Sequence, residues 1–213
     1  MKVKNNLDEI LYDRIIESLL RGDYRMGQKL TLDELADKFE VSRTPVVQAV
    51  KLLSNDGILH SMSNGRIYVP EYQPETVRQI CDVRLLMEGH ALDLFLSGSG
   101  LPKEQVLPRL DRYAVQCNEL GVEEKFVEMS TADRRFHRTL VESAGNAVLT
   151  DTYDRVQGRF IVANYLLRPR RSWHFQVTVD GHADLLEAIR SGDREMAQSK
   201  LKEHIDLLLA YSS

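Results

Sequence analysis

A proline-containing break divides this sequence into two unlike parts, and it constrains the fold more than any other feature. Prolines stand at Pro70 and Pro74, and each fixes φ and removes a backbone donor, so the run between them favours an irregular connection. Three helical patterns and two short β-type runs precede the break, and only helical periodicity follows it. The sequence therefore predicts an N-terminal domain over 1–70, a linker over 71–75 and a C-terminal domain over 76–213.

The N-terminal pattern predicts three helices followed by a hairpin. Apolar residues recur at helical spacing in three segments, and Thr31 followed by Glu34 is a capping-box signature for the second helix. Asn64-Gly65 separates two short β-type runs and is a strong hairpin signal, because both residues tolerate positive φ. This order is that of a winged helix-turn-helix, whose third helix enters the major groove of DNA.

Seven residues of this domain are candidates for DNA contact. Four lie on the third helix and three at the hairpin tip: Arg43, Thr44, Gln48, Lys51, Asn64, Gly65 and Arg66. Arginine can donate two hydrogen bonds to guanine, and a wing tip suits the minor groove or the backbone. Residues 41–70 contain three cations against one acid, a net charge of 3 − 1 = +2. Because this charge is modest, a helical domain for protein contacts is the alternative.

The C-terminal part predicts an antiparallel all-α bundle of about six helices, which makes the chain mainly α. The expected spans are 75–97, 102–120, 123–144, 146–166, 176–191 and 193–211. No apolar run is long enough to cross a membrane, and the first residues lack the apolar core of a signal peptide. Cys81 and Cys117 are distant in sequence and form no metal-binding pair. We therefore expect a cytoplasmic protein with reduced thiols.

Four polar side chains interrupt the apolar faces of three of these helices. Asp133 and His137 lie four residues apart on one helix, and His182 and His204 lie on two others. A buried carboxylate is costly unless it is paired, and a divalent metal would satisfy one carboxylate and three imidazoles together. Ordinary buried histidines with hydrogen-bond partners are the alternative, because spacing alone does not show whether the three helices converge.

Both parts of the chain resemble known bacterial regulators. The similarity to the DNA-binding domain of the GntR family lies in residues 27–36, 41–46 and 52–59. The similarity to the FCD effector domain, which defines the FadR-type branch of that family, lies in residues 131–140, 143–146, 181–189 and 197–204. The resemblance implies a ligand-responsive transcription regulator rather than an enzyme, a repressor that binds double-stranded operator DNA as a homodimer.

The FCD resemblance also implies a divalent metal ion, which in the family is zinc, nickel or manganese. The residues that match the family's ligand positions are Asp133, His137, His182 and His204. An open position on the metal can take a carboxylate oxygen of a small organic acid such as a sugar acid, and a cationic side chain would hold the rest of the anion. The candidates for effector contact are Arg84, Arg159 and Asn164. The spacing of Arg84 and Glu88 fits a surface ion pair equally well.

Three positions depart from the family pattern. Val47-Gln48 stands where the family has Arg-Glu, Asp33 replaces an arginine, and Gly181 replaces an acidic residue before the histidine. The first two changes remove cations from the expected DNA face. Two other functions fit parts of the pattern, a helical metalloenzyme and a sensor of a larger ligand such as acyl-CoA. The lack of a free general base counts against the first, and the metal-ligand set counts against the second.

Overall fold

The computed structural model describes residues 7–62, 65–167 and 175–210, and the chain forms two compact units, Met1–Gln73 and Pro74–Ser213. In order, the first unit contains α1 (Leu7–Arg21), β1 (Lys29–Leu30), α2 (Leu32–Phe39), α3 (Arg43–Asn55), β2 (His60–Ser61) and β3 (Ile67–Tyr68). The strands form an antiparallel sheet in the order β1-β3-β2. This is the winged helix-turn-helix that the sequence predicts.

Local sequence signals explain the turn between α2 and α3. The Thr31 side chain accepts a hydrogen bond from the Glu34 backbone, and the Glu34 side chain accepts one from the Thr31 backbone, which confirms the predicted capping box. Glu40 ends α2 in a left-handed conformation with φ of 55°. The tight turn brings the buried side chains of Leu35, Val46 and Leu53 into one core. Strand β1 was not predicted, because two residues are too short to show an alternating pattern.

Residues 71–75, the predicted linker, divide between the two units. Tyr72 is buried, and its hydroxyl donates a hydrogen bond to the Gly57 carbonyl in the first unit. Pro74 is the first residue of α4, a position where proline is tolerated because its missing N–H would have no partner in the helix.

The second unit contains six helices among the described residues. They are α4 (Pro74–Leu96), α5 (Lys103–Val122), α6 (Phe126–Glu142), α7 (Ala147–Leu167), α8 (Phe175–Ser191) and α9 (Arg194–Ala210). Helix α5 continues through Gly121, where the sequence predicts a break, because the chain turns only at Glu123–Lys125 and Glu124 takes the left-handed conformation with φ of 57°. The other predicted helices agree with the observed bounds to within three residues.

The helices of the second unit pack around a shared apolar core. Helix α4 contacts α6, α7 and α9, while α5 contacts α6 and α8, and α8 contacts α9. One buried cluster joins Met87, Ala91, Val141 and Tyr153 across α4, α6 and α7. Both cysteines are buried and free of disulfides. Among the described residues, no helix combines the length and apolar character needed to cross a bilayer.

Candidate metal centre and DNA-facing surface

The predicted metal ligands meet in the core of the second unit. Asp133 and His137 come from α6, His182 from α8 and His204 from α9, and each offers one ligand atom within 4.8 Å of all the others. The three histidines are buried, while the Asp133 side chain keeps 14% of its exposure. Helices distant in sequence therefore bring one carboxylate and three imidazoles to a single point.

The distances suit a first-row divalent ion. The Nε2 atom of His137 lies 3.1 Å from that of His204 and 3.3 Å from that of His182. The Asp133 Oδ1 atom is 3.2 Å from His182 Nε2 and 3.6 Å from His137 Nε2. A tetrahedral ion with bonds of about 2.0–2.1 Å holds its ligand atoms about 3.3–3.4 Å apart. The donor set and its spacing therefore fit a metal ion.

A carboxylate that sequence analysis did not assign to the metal centre orients His137. Glu88 on α4 is completely buried, and its Oε2 atom lies 2.7 Å from His137 Nδ1. A carboxylate at this position accepts the Nδ1 proton, which leaves a lone pair on Nε2 for a metal. The Tyr153 hydroxyl donates to the other Glu88 oxygen at 2.6 Å. Glu88 therefore supports the ligand from outside the ligand set.

Arg84 is also completely buried, and its Nε atom donates to Glu88 at 2.9 Å, so the two do not form a surface pair. Its guanidinium carbon lies 4.3 Å from the centre of the Phe160 ring. Neither Nη1 nor Nη2 has a hydrogen-bond partner within the described part of the chain. Two buried cationic donors thus remain available to an anion.

The charges in this cluster are mutually stabilised. Burial alone would raise the pKa of Glu88, but attraction to Arg84 and His137, together with hydrogen bonds from His137 and Tyr153, lowers it to about 2. Burial would likewise raise the pKa of Asp133, yet the neighbouring His137 and His182 hold it well below its usual range. For His204, burial and repulsion by His182 and His137 lower the pKa well below the ordinary histidine value. For His137, by contrast, burial would lower the pKa, but attraction to Glu88 and Asp133 raises it, so a metal ion that binds this imidazole would displace a proton.

The other two effector candidates lie in different surroundings. Arg159 is exposed on α7, whereas Tyr153 and Phe160 of the same helix are buried, and its part in effector contact stays a prediction. Asn164 is on the buried face of the same helix. Gln157 lies on that face too, and its Oε1 atom has no partner among the described residues. Its spacing from Tyr153 and Asn164 along one helical face is the signal that could have identified it.

The predicted DNA-contact residues of α3 lie on its exposed face. Helix α3 begins at Arg43, and the side chains that share this exposed surface are Arg43, Thr44, Gln48 and Lys51. Gly65 and Arg66 are exposed at the wing tip, where Gly65 adopts a φ of 76° that favours glycine. Asn64 lies outside the described residues.

Arg43, the leading candidate for DNA contact, forms an ion pair with an acidic side chain. The Arg43 guanidinium lies 3.3 Å from the Asp33 carboxylate of α2, and both side chains are mostly exposed. Asp33 is one of the positions where the sequence departs from its family. An exposed pair of this kind is weak, so Arg43 can leave it for a base or phosphate.

The two units together define a class of protein: a DNA-binding regulator whose second, helical domain has a metal-ligand set. Residues 7–69 match the bacterial regulatory proteins of the gntR family, and residues 79–207 match the FCD domain. The chain belongs to the GntR family of transcription regulators, in the branch that has an FCD domain. This family and the relatives below are regulators, which confirms the prediction that the chain is not an enzyme.

Several similar proteins align with most of this chain. A gluconate operon transcriptional repressor of Bacillus licheniformis is 25% identical over 91% of this chain and 78% of its own length. A D-xylose utilization operon repressor of Paenarthrobacter nicotinovorans is 24% identical over 91% of this chain and 83% of its own length. The structure of E. coli McbR/YncC superposes with a TM-score of 0.81 at 18% identity and covers 97% of both chains, which supports the fold alone.

Proposed function

We propose that this regulator is a repressor that binds operator DNA as a homodimer and senses a small carboxylate, such as a sugar acid, at a divalent metal. The main support for this proposal is the buried side chain of Arg84. Two of its guanidinium nitrogens have no partner among the described residues, and Glu88 contacts both Arg84 and the candidate ligand His137. A buried cationic donor without a partner is costly, and an anion would satisfy it. The gluconate operon repressor among the relatives is consistent with this ligand class.

Asp133, His137, His182 and His204 would hold the ion, which is zinc, nickel or manganese. The ion supplies a Lewis-acidic position that a carboxylate oxygen can occupy. Arg84 would bind the second end of the anion with its free nitrogens. Asn164, which lies on the buried face of α7, would provide a further polar contact, and Gln157 on that face would accept a hydrogen bond from a donor group of the ligand.

The DNA contacts would come from α3 and the wing. Arg43 and Thr44 begin the helix and are placed for base edges, with Gln48 and Lys51 one and two turns later. Gly65 and Arg66, together with Asn64, would contact the backbone or minor groove. A homodimer would place two such helices on a pseudo-palindromic operator. Val83 and Leu86, apolar and exposed on α4, support contact with a second copy.

Operator binding is the first test of this function. Anisotropy of labelled duplex from the native upstream region should rise with protein and fall with added salt. Arg43→Ala should cost on the order of 1–3 kcal/mol of discrimination between specific and random duplex. A chain that binds no duplex at low salt, or whose binding ignores salt, would contradict the proposal.

Effector sensing is tested on the same complex. A series of sugar acids and other small carboxylates should include one that changes the anisotropy of the metal-loaded protein, because the effector must bind the DNA-free and DNA-bound forms with different affinity. The change should vanish after chelation. An effector that acts equally well on the chelated protein would place its binding site elsewhere.

A further inference from the structure

Helix α3 has an apolar side chain in the middle of its DNA-facing surface. Val47 is 40% exposed, whereas its neighbours Val46 and Val50 are buried. Packing in the core of the first unit therefore does not explain this valine. Helix propensity does not explain it either, because a β-branched residue is less favourable than alanine inside a helix. The exposed side chain is available for contact with a partner.

Val47 stands between two cations on that surface. It lies four residues after Arg43 and four residues before Lys51, so the three side chains form one row along α3, and all three are exposed. Thr44, three residues before Val47, borders this row. Cations on both sides favour a polyanion such as duplex DNA as the partner. Because valine cannot hydrogen-bond to a phosphate, its side chain would meet a base edge in the groove.

The edges of the four bases in the major groove offer valine very different partners. Guanine, adenine and cytosine present hydrogen-bond acceptors and donors there, whereas thymine adds an apolar methyl group at C5. A valine packed against one of the first three bases would leave a polar group without a partner, which is costly. Against thymine, the same side chain would bury the methyl group, which is favourable. An exposed valine in this row therefore selects thymine.

We propose that Val47 is a specificity-determining residue that recognises a thymine of the operator through its 5-methyl group. This inference rests on the proposed binding of operator DNA by α3. Residues four apart are separated by about 6 Å along a helix, and successive bases by about 3.4 Å. The thymine should therefore lie within about two base pairs of the guanine that Arg43 would contact. The proposal gives a role to a position where the sequence departs from its family.

The test uses duplexes in which single thymines are replaced by deoxyuridine, which lacks only the methyl group. The starting duplex is the stretch of the native upstream region that the full chain protects from nuclease cleavage. We expect one thymine in each half-site whose replacement weakens binding about fourfold, the scale set by burying one methyl group. The slope of log affinity against log salt should not change, because every phosphate stays in place.

Val47→Ala should remove most of this sensitivity, because the shorter side chain no longer reaches the methyl group. The variant should fold, since alanine is a better helix former and Val47 is outside the buried core. We expect the ratio of the affinities for the thymine and uracil duplexes to fall from about four to below about two. Fluorescence anisotropy with both duplexes measures this ratio for each protein.

Leu52→Ala is the matched control. Leu52 is an apolar residue of the same helix with nearly the same exposure, 41%. It lies five residues after Val47, which turns it out of the row that Val47 shares with the two cations. Its replacement should leave the thymine-to-uracil ratio at the wild-type value. A fall of that ratio in Leu52→Ala equal to the fall in Val47→Ala would contradict a direct contact by Val47.

The outcomes separate this inference from the function on which it rests. A wild-type chain that binds no duplex would overturn operator binding and the role of Val47 together. Salt-dependent binding that Arg43→Ala weakens, with no thymine whose methyl group matters, would overturn only the role of Val47. The same conclusion would follow from a thymine-to-uracil ratio that is equal in the wild type and in Val47→Ala.

Discussion

Glu88 connects the buried Arg84 side chain with the candidate metal ligand His137. It contacts Arg84 and Tyr153 with one oxygen and His137 with the other. The same carboxylate therefore balances a buried cation and orients a metal ligand. Its removal affects both tasks at once.

Glu88→Gln should weaken metal binding by about 10–100-fold, because an amide has only one acceptor oxygen and cannot accept from both Arg84 and His137 as the two carboxylate oxygens do. It should also lower the free energy of unfolding by about 3–5 kcal/mol, since Arg84 is left as an unpaired buried charge. Chelator competition and urea unfolding measure the two effects. Glu75→Gln on the same helix is the control: its ion pair with Arg78 is exposed, so neither the stability nor the metal affinity should change measurably.

Asp33 is the acidic residue that faces the DNA-contact surface. Asp33→Ala should raise the affinity for duplex DNA several-fold and steepen its salt dependence, because it removes a negative charge near phosphate and releases Arg43. Fluorescence anisotropy at several salt concentrations measures this. Asp37→Ala, also exposed on α2, has the same charge change without the ion pair to Arg43. Equal effects of the two substitutions would indicate a general charge effect rather than an action on Arg43.

At the scale of elements, the starts of α2 and α3 differ in how they are capped. The Thr31 hydroxyl accepts a hydrogen bond from the Glu34 backbone N–H, and the Glu34 carboxylate accepts one from the Thr31 backbone N–H, which completes a capping box. Ser42 occupies the same position before α3, but its side chain makes no capping hydrogen bond in the described structure. The sequence accounts for this difference, because Glu34 stands three residues after Thr31, whereas Pro45 stands three residues after Ser42 and has no backbone N–H to donate.

Thr31→Ala should cost about 1 kcal/mol of stability, since an N-cap hydrogen bond is lost. Hydrogen exchange of the first amides of α2 in the full chain should speed up accordingly. Ser42→Ala is the matched comparison and should produce a clearly smaller change in the amides of α3. If Ser42→Ala speeds exchange in α3 more than Thr31→Ala does in α2, the capping hydrogen bond seen at Thr31 is not what stabilises the start of the helix.

Helix patterns predicted most elements because long apolar stripes identify helices independently of their partners. The predicted C-terminal end of α5 was less accurate. A single glycine such as Gly121 lowers helix stability only modestly, so the helix continues through it. The Asp133–His137 pair was visible in the sequence because four residues make one helical turn. Glu88 was not, because its contact with His137 spans 49 positions and depends on how α4 packs against α6.

At the scale of the whole molecule, the chain separates a DNA-facing unit from a unit with the candidate metal centre. The four candidate ligands come from three helices, α6, α8 and α9. An ion would therefore cross-link α6, α8 and α9. Its free energy of binding would add directly to the stability of that unit, because the unfolded chain offers no such site.

Removing the metal should accordingly lower the thermal unfolding temperature of the second unit, and returning it should restore that temperature. At a free ion concentration 100 times the dissociation constant, the expected stabilisation is about 2.7 kcal/mol. His204→Ala should abolish the response to chelation, whereas His90→Ala, an exposed histidine of α4, should retain it. If His204→Ala still responds to the chelator as the wild type does, the ion binds elsewhere. A carboxylate effector should add its own shift only in the metal-loaded protein, because its binding would use the ion and Arg84 together.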